Sequence, residues 1–245
     1  MTDMPIVAEI EHSTNGLEYA KNILDRLLIS RLNQIKTPSI GVEISPEAVE
    51  IAFKMEEKHL SPGLSFWKEI IKICRNHGIK IIPLVDFRVT KYVDDLTAAC
   101  NKVISELYQS KKISNEDMKK KTILIGNQPV VVPWLFFDKM SRNQLDFLTV
   151  KAGKMILESD RQLKENIQKE TPTLSFLGWA HGKPLKDIAH VIRFPDEHKH
   201  EYGIKEIEFY NYCRKHLEDA NARILSRIRQ KQMPKRKKKT KKRRK

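Results

Sequence analysis

The stretch Val7–Ile23, VAEIEHSTNGLEYAKNI, begins on a two-residue alternation and changes to a helical period after His12. Pro5–Glu11 reads as a short strand. Leu17, Ala20, Ile23, Leu24, Leu27 and Leu28 then fall on one face of a helix expected over about Leu17–Ile35. The same layout returns in Leu174–Ile192, LSFLGWAHGKPLKDIAHVI, where a strand over Thr173–Ala180 leads into His181 and a short helix is expected over Lys183–Val191. Between these two, GVEISPEAVE (41–50) closes a strand, Ser39–Ile44, around Glu43. Ser45 caps the next helix, Pro46 takes its first position, and Glu47 suits its dipole. PLVDFR (83–88) closes another strand, Lys80–Val85, at Asp86.

Helices are also expected over Leu64–His77, stopping at Gly78, and over Val89–Tyr108, with one long helix or two over Ser141–Lys169. Ser110–Lys121 reads as an exposed Lys-rich connection. Thr122–Phe137 reads as a strand or hairpin whose bonding Pro129 and Pro133 limit. Ile207, Tyr210, Leu217, Ala220, Ile224 and Ile228 mark a long amphipathic helix near the C-terminus. Strands separated by helices give an α/β fold with a largely parallel or mixed sheet, flanking helices, a long C-terminal helix and a disordered basic tail. The expected division is a domain over 1–203, the helix over 204–232 and the tail over 233–245.

The hydrophobic fraction of 40% is enough for a packed core. Cys74, Cys100 and Cys213 are far apart and form no CxxC pair, which argues against a disulfide framework or zinc ribbon and fits a reducing, cytoplasmic setting. The start, MTDMPIVAEIEHS, lacks the basic and apolar regions of a signal peptide. The most apolar window, Val130–Phe137, is interrupted by Pro133 and falls short of the ~20 residues of a spanning helix. No integral membrane segment is expected.

Ligand sites in open α/β sheets form outside the carboxyl ends of the strands, so His12, Glu43, Asp86 and His181 are expected to converge on one rim. Two imidazoles and a carboxylate, His12, His181 and Glu43, could hold one divalent metal ion with a position left for water. Glu11 or Glu9 would then be the general base. Two other readings stand beside this one. Glu43 could orient a neutral His that acts as base without metal, or both His could be hydrogen-bonded residues packed under loops. His198-Lys199-His200 reads as a solvated loop, and His59, His77, His190 and His216 fall on helical stretches without an assigned role. Trp67, Trp134 and Trp179 read as core anchors.

The motifs together resemble the TraB/PrgY/TIKI proteins of the EreA/ChaN-like group. GWAH (178–181) is similar to their second GxxH motif, GVEIS (41–45) to their strand ending in Glu, and LVDFR (84–88) to their later Asp-Arg. ILESDRQLKENI (156–167) resembles the helix with their Glu-Arg-Asp-type signature. Order and spacing agree over about residues 5–192. The resemblance implies a metal-dependent peptidase or other hydrolase, with Glu43 and His181 in its site and Asp86, Arg88, Asp160 and Arg161 in support; beside it, the reading of the residues adds Glu11 as catalytic and Glu9 in support. At the first GxxH this chain has Glu9-Ile10-Glu11-His12, so the glycine is absent, and Ser159 stands where the family pattern places an Arg.

The formal net charge is +15, and residues 235–245 contain ten Lys or Arg, so the remainder carries 15 − 10 = +5. Lys235, Arg236, Lys237, Lys238, Lys239, Lys241, Lys242, Arg243, Arg244 and Lys245 are the expected contacts to nucleic acid or another polyanion. No GxxxxGK[ST], GxGxxG or base-reading module accompanies them.

Overall fold

The computed structural model describes residues 4–28, 38–125, 128–178, 180–195 and 201–232. Strand β1 (Ile6–Ile10) leads into α1 (Thr14–Ile23), whose first turn is capped by the Ser13 hydroxyl accepting from the Gly16 N–H. The expected single helix to Ile35 changes at Leu24–Leu28 into a π-helical turn; the segment 29–37 lies outside the described residues. β2 (Ser39–Val42) is followed by α2 (Pro46–Lys54), with Ser45 as cap and Pro46 in the first turn, as expected. α3 (Pro62–Asn76) ends at Gly78, whose φ of +65° is the left-handed conformation that glycine accepts without strain. β3 (Lys80–Pro83) and α4 (Phe87–Gln109) come next.

Ser110–Lys121 is more than a connection. It contains α5 (Asn115–Lys120), nucleated by a reciprocal Ser114–Asp117 capping box. The proline-limited stretch forms an antiparallel hairpin, β4 (Thr122–Ile125) with β5 (Gln128–Val131), and then a 3-10 helix over Pro133–Lys139. α6 (Arg142–Glu170) is one unbroken helix. After β6 (Leu174–Gly178), the helix expected over Lys183–Val191 is only the turn α7 (Gly182–Leu185). His190–Ile192 is instead strand β7, so His190 is not helical. Three apolar-flanked residues are too short for period alone to separate strand from helix; pairing with β1 decides it. α8 (Glu201–Gln232) closes the described chain.

Five strands form one parallel sheet in the order β3-β2-β6-β1-β7. Alternate side chains divide between its two faces. Ala8, Ile10, Ile40, Val42 and Phe176 pack against α1, α2 and α3 through Ala20, Ala52, Phe66 and Ile70. Val7, Ile82, Leu84 and Leu177 pack against α4, α6 and α7 through Val89, Leu163, Ile167 and Leu185. A further apolar cluster ties α4, α6 and the 3-10 segment to α8 through Val103, Ile156, Trp134, Phe209 and Cys213. Trp67 and Trp134 are buried, as expected of anchors; Trp179 lies outside the described residues.

The amides of Lys80 and Leu84 bond to the β2 side, so Ile81 and Pro83 face outward along the β3 edge. Pro83 offers no N–H there, which blunts the edge against further strand pairing. Among the described residues no helix is long and apolar enough to cross a membrane.

Candidate functional site

β6 lies between β1 and β2, yet the helical turn that follows β6 goes to the opposite face of the sheet from the helices that follow its two neighbours. α1 and α2 pack on one face and α7 on the other, the arrangement that in open α/β sheets places ligand sites at the carboxyl ends of the strands. His12, Glu43 and His181 all lie just beyond those ends. The parallel register pairs Ile10 with Gly178 and Val42 with Phe176, which brings the three segments level.

The Gly178 N–H donates to Glu43 Oε2 at 2.6 Å, and the His181 N–H donates back to the Gly178 carbonyl at 2.9 Å, a tight turn that folds the imidazole over the strand end. A Cβ built on Gly178 would stand 3.3 Å from Glu43 Oε2, 3.7 Å from His181 Cδ2 and 3.8 Å from His12 Cε1. The three groups therefore gather around one Cα, and the missing side chain keeps that space open.

His181 is held at both nitrogens. Nε2 lies 2.9 Å from Glu43 Oε1, and Nδ1 lies 2.6 Å from Asp160 Oδ1 on α6. The side chains of His181, Glu43 and Asp160 are 6%, 13% and 13% exposed, so water screens these contacts little. Burial opposes the His181 charge, but Glu43 and Asp160 outweigh it and push the imidazole pKa up to about 10. Burial also works to raise Glu43, yet the His181 charge and bond, with His12 and the Gly178 amide, hold it below the usual carboxylate range. Asp160 is held down likewise, against its own burial, by His181 and Arg214. His181 is thus an imidazolium between two carboxylates, donating from both ring nitrogens.

Arg214, on α8, completes the row. Its Nε donates to Asp160 Oδ2 at 2.8 Å, and one Nη donates to Asp160 Oδ1 at 3.1 Å and to the Ala180 carbonyl at 2.6 Å. Charges alternate along Glu43, His181, Asp160 and Arg214, so the buried set is neutral as a whole.

His12 differs. Its ring stands 5.0 Å from Phe66 and 5.6 Å from Trp67, centroid to centroid, and burial lowers its pKa, with Glu43 opposing and His181 assisting. Its Nε2 is buried and meets no hydrogen-bond partner among the described residues. A neutral imidazole nitrogen left unpaired in such a place costs free energy that a ligand would recover.

That orphaned nitrogen is of the chemical type that a divalent cation takes. His12, Glu43 and His181 are the two-imidazole, one-carboxylate set used by catalytic zinc sites, and the Asp160 bond to Nδ1 is the outer-shell support that such a His ligand has. As they stand, Glu43 and His181 bond to each other. Among the described residues no three His, Cys, Asp or Glu side chains are so placed that together they could hold a metal ion. A cation would have to displace the Nε2 proton of His181.

Of the other expected residues, Glu9 and Glu11 are buried at the end of β1, and Glu9 lies against Gly182, where a Cβ would collide with its carboxylate. Asp86 lies three residues beyond the end of β3, as the cap of α4, and does not join the cluster. Its carboxylate caps α4 through the Arg88 N–H and is further bound by the Arg88 side chain and Gln162. Arg88 and Arg161 are likewise outside it, paired with Glu158 and, for Arg161, Glu165. These residues border a separate groove of about 510 Å³ along β3, lined also by Lys80, Gln162 and Lys169. His198, His200 and the basic tail lie outside the described residues. Arg214 is the residue that sequence reasoning missed; a basic position on an amphipathic helix carries no mark of a partner more than fifty residues earlier.

No family model matches the chain, and no curated protein or solved structure matches it either.

Proposed function

We propose that this protein is a hydrolase dependent on one divalent metal ion, of the kind found among TraB/TIKI-like proteins. The observation that supports this reading is the meeting of His12, Glu43 and His181 around Gly178, from three strand ends far apart in sequence. His12 Nε2, His181 Nε2 and the Glu43 carboxylate are the groups that would hold the cation. When bound, it supplies Lewis acidity to a substrate carbonyl and makes water a stronger nucleophile at neutral pH. Asp160 fixes the His181 ring through Nδ1. Glu11, next to His12, is the residue assigned to take a proton, with Glu9 as the other carboxylate within the strand end. Peptide bonds are the substrate class that the resemblance brings.

The test is cation stoichiometry. Full-length protein dialysed against Zn2+ or Co2+ is expected to retain one ion per chain. His12→Ala, Glu43→Gln and His181→Ala should each weaken binding by at least about tenfold and abolish any peptidase or esterase activity found for the wild type. Absence of stoichiometric ion, with activities indifferent to all three substitutions, removes the reading.

A second reading concerns location rather than chemistry. Ten basic residues among the last eleven, following a 32-residue helix, suit non-specific binding to DNA or RNA. On this reading the tail supplies affinity whether or not the domain is an enzyme. Deleting residues 233–245 and following binding against salt tests it.

A further inference from the structure

We propose that Arg214 is a positioning residue for His181, so that the candidate site is complete only while α8 is docked on α6. The inference rests on the site reading above and names a residue outside the expected set.

The guanidinium reaches the site in two ways at once. Its fork meets both oxygens of Asp160, at 2.8 and 3.1 Å, which fixes the carboxylate's rotation and directs Oδ1 at His181 Nδ1. The same Nη group binds the carbonyl of Ala180, the residue directly before His181, and so holds the turn carrying the imidazole. One side chain therefore sets both the ring partner and the backbone of His181. The Arg214 side chain is 12% exposed and Asp160 13%, so the contact is shielded rather than a screened surface pair.

The helix delivering Arg214 is well seated. Phe209 and Cys213 are buried in the cluster with α4 and α6, and Leu217 lies against Gly153 of α6, where a Cβ would strike its Cδ1. Close approach at Gly153 brings α8 near enough for the short reach to Asp160. A lysine could supply charge but not the planar two-oxygen contact together with the carbonyl bond.

Two readouts on full-length protein separate this role from plain anchoring of α8. The first needs no metal. The Nδ1 proton of His181, assigned by its loss in His181→Ala, is expected far downfield in the proton NMR spectrum of the wild type. It should move upfield or broaden in Arg214→Gln and shift only partly in Arg214→Lys. The second is Co2+ affinity, expected to fall about 10–100-fold in Arg214→Gln, the range for lost outer-shell partners, with partial recovery in Arg214→Lys. If the variants fold and lose only urea resistance, with the Nδ1 resonance unchanged, Arg214 is an anchor and the proposal is overturned. Should Arg214→Gln fail to fold, Arg214→Lys decides, and no shift at all in its Nδ1 resonance overturns the proposal. A wild type that binds no Co2+ retires the metal reading while the Nδ1 resonance still decides the positioning role.

Discussion

A Cβ on Gly16 would run into the backbone carbonyl of Glu11, because the chain turns back on itself between β1 and α1. Glu11 O also accepts the Ser13 N–H, and the Gly16 N–H serves the Ser13 cap, so backbone on both sides is already committed. Nothing flexible is available to give way. Gly16→Ala is expected to cost about 1–3 kcal/mol, as overpacking does, read as a lower urea midpoint with unchanged slope. Because His12 sits inside this turn, the same variant should weaken any cation binding; a midpoint equal to wild type would contradict the close approach. His12 itself shows how a residue can be legible in type and illegible in state. Its position at a strand end could be read from the alternation before it. Its pKa is lowered first by burial, in a place where Phe66 and Trp67 stand beside the ring, with Glu43 opposing and His181 assisting, and sequence distance conceals all of these neighbours.

Helix α4 begins on a cap that is also an ion pair. The Asp86 carboxylate receives the Arg88 amide, the Arg88 side chain and Gln162, and the Arg88 bond leads in drawing its pKa down to about 2. A folded pKa below the unfolded value of about 3.9 means stability that is present above that value and lost as pH falls toward 2. Asn caps helices nearly as well as Asp, so Asp86→Asn removes the charge and leaves the cap. The variant is expected to be slightly less stable than wild type at pH 7, with the gap closing between pH 4 and pH 2 in urea titrations. A gap that widens on acidification would mean that the carboxylate is not the stabilising form. The effect is small because the pair is exposed. The start of α2 was legible because its cap, Ser45-Pro46, is local chemistry, whereas the period over Ser141–Lys169 left one helix or two open. β7 was not, since its identity comes from pairing with β1 across the whole chain.

At the scale of the molecule, the +15 charge is unevenly held: ten positive charges lie in residues 235–245 and the rest of the chain carries +5. If every one of the ten met a phosphate of double-stranded DNA, log K would fall with log salt at a slope of about −9. Removal of 233–245 is therefore expected to lower affinity steeply at low salt and flatten that slope, measured by fluorescence anisotropy on a labelled duplex. A slope unchanged by the deletion would assign binding to the folded part. The basic residues follow α8 in sequence, and α8 carries Arg214 to Asp160.

The alternating α/β pattern, the strand-end placement of His12, Glu43 and His181, and the charge of the tail were all fixed by the sequence. Each follows from neighbouring residues: hydrophobic period, capping chemistry and charge density. The tertiary structure alone decided that β6 enters between β1 and β2. That insertion sets the end of β6 level with those of β1 and β2, where the three residues meet. It also decided that Asp86 stays outside the cluster while Asp160 enters it, and that Arg214 stands behind Asp160. Those outcomes depend on which distant surfaces pack together and exclude water, and no local period encodes that choice.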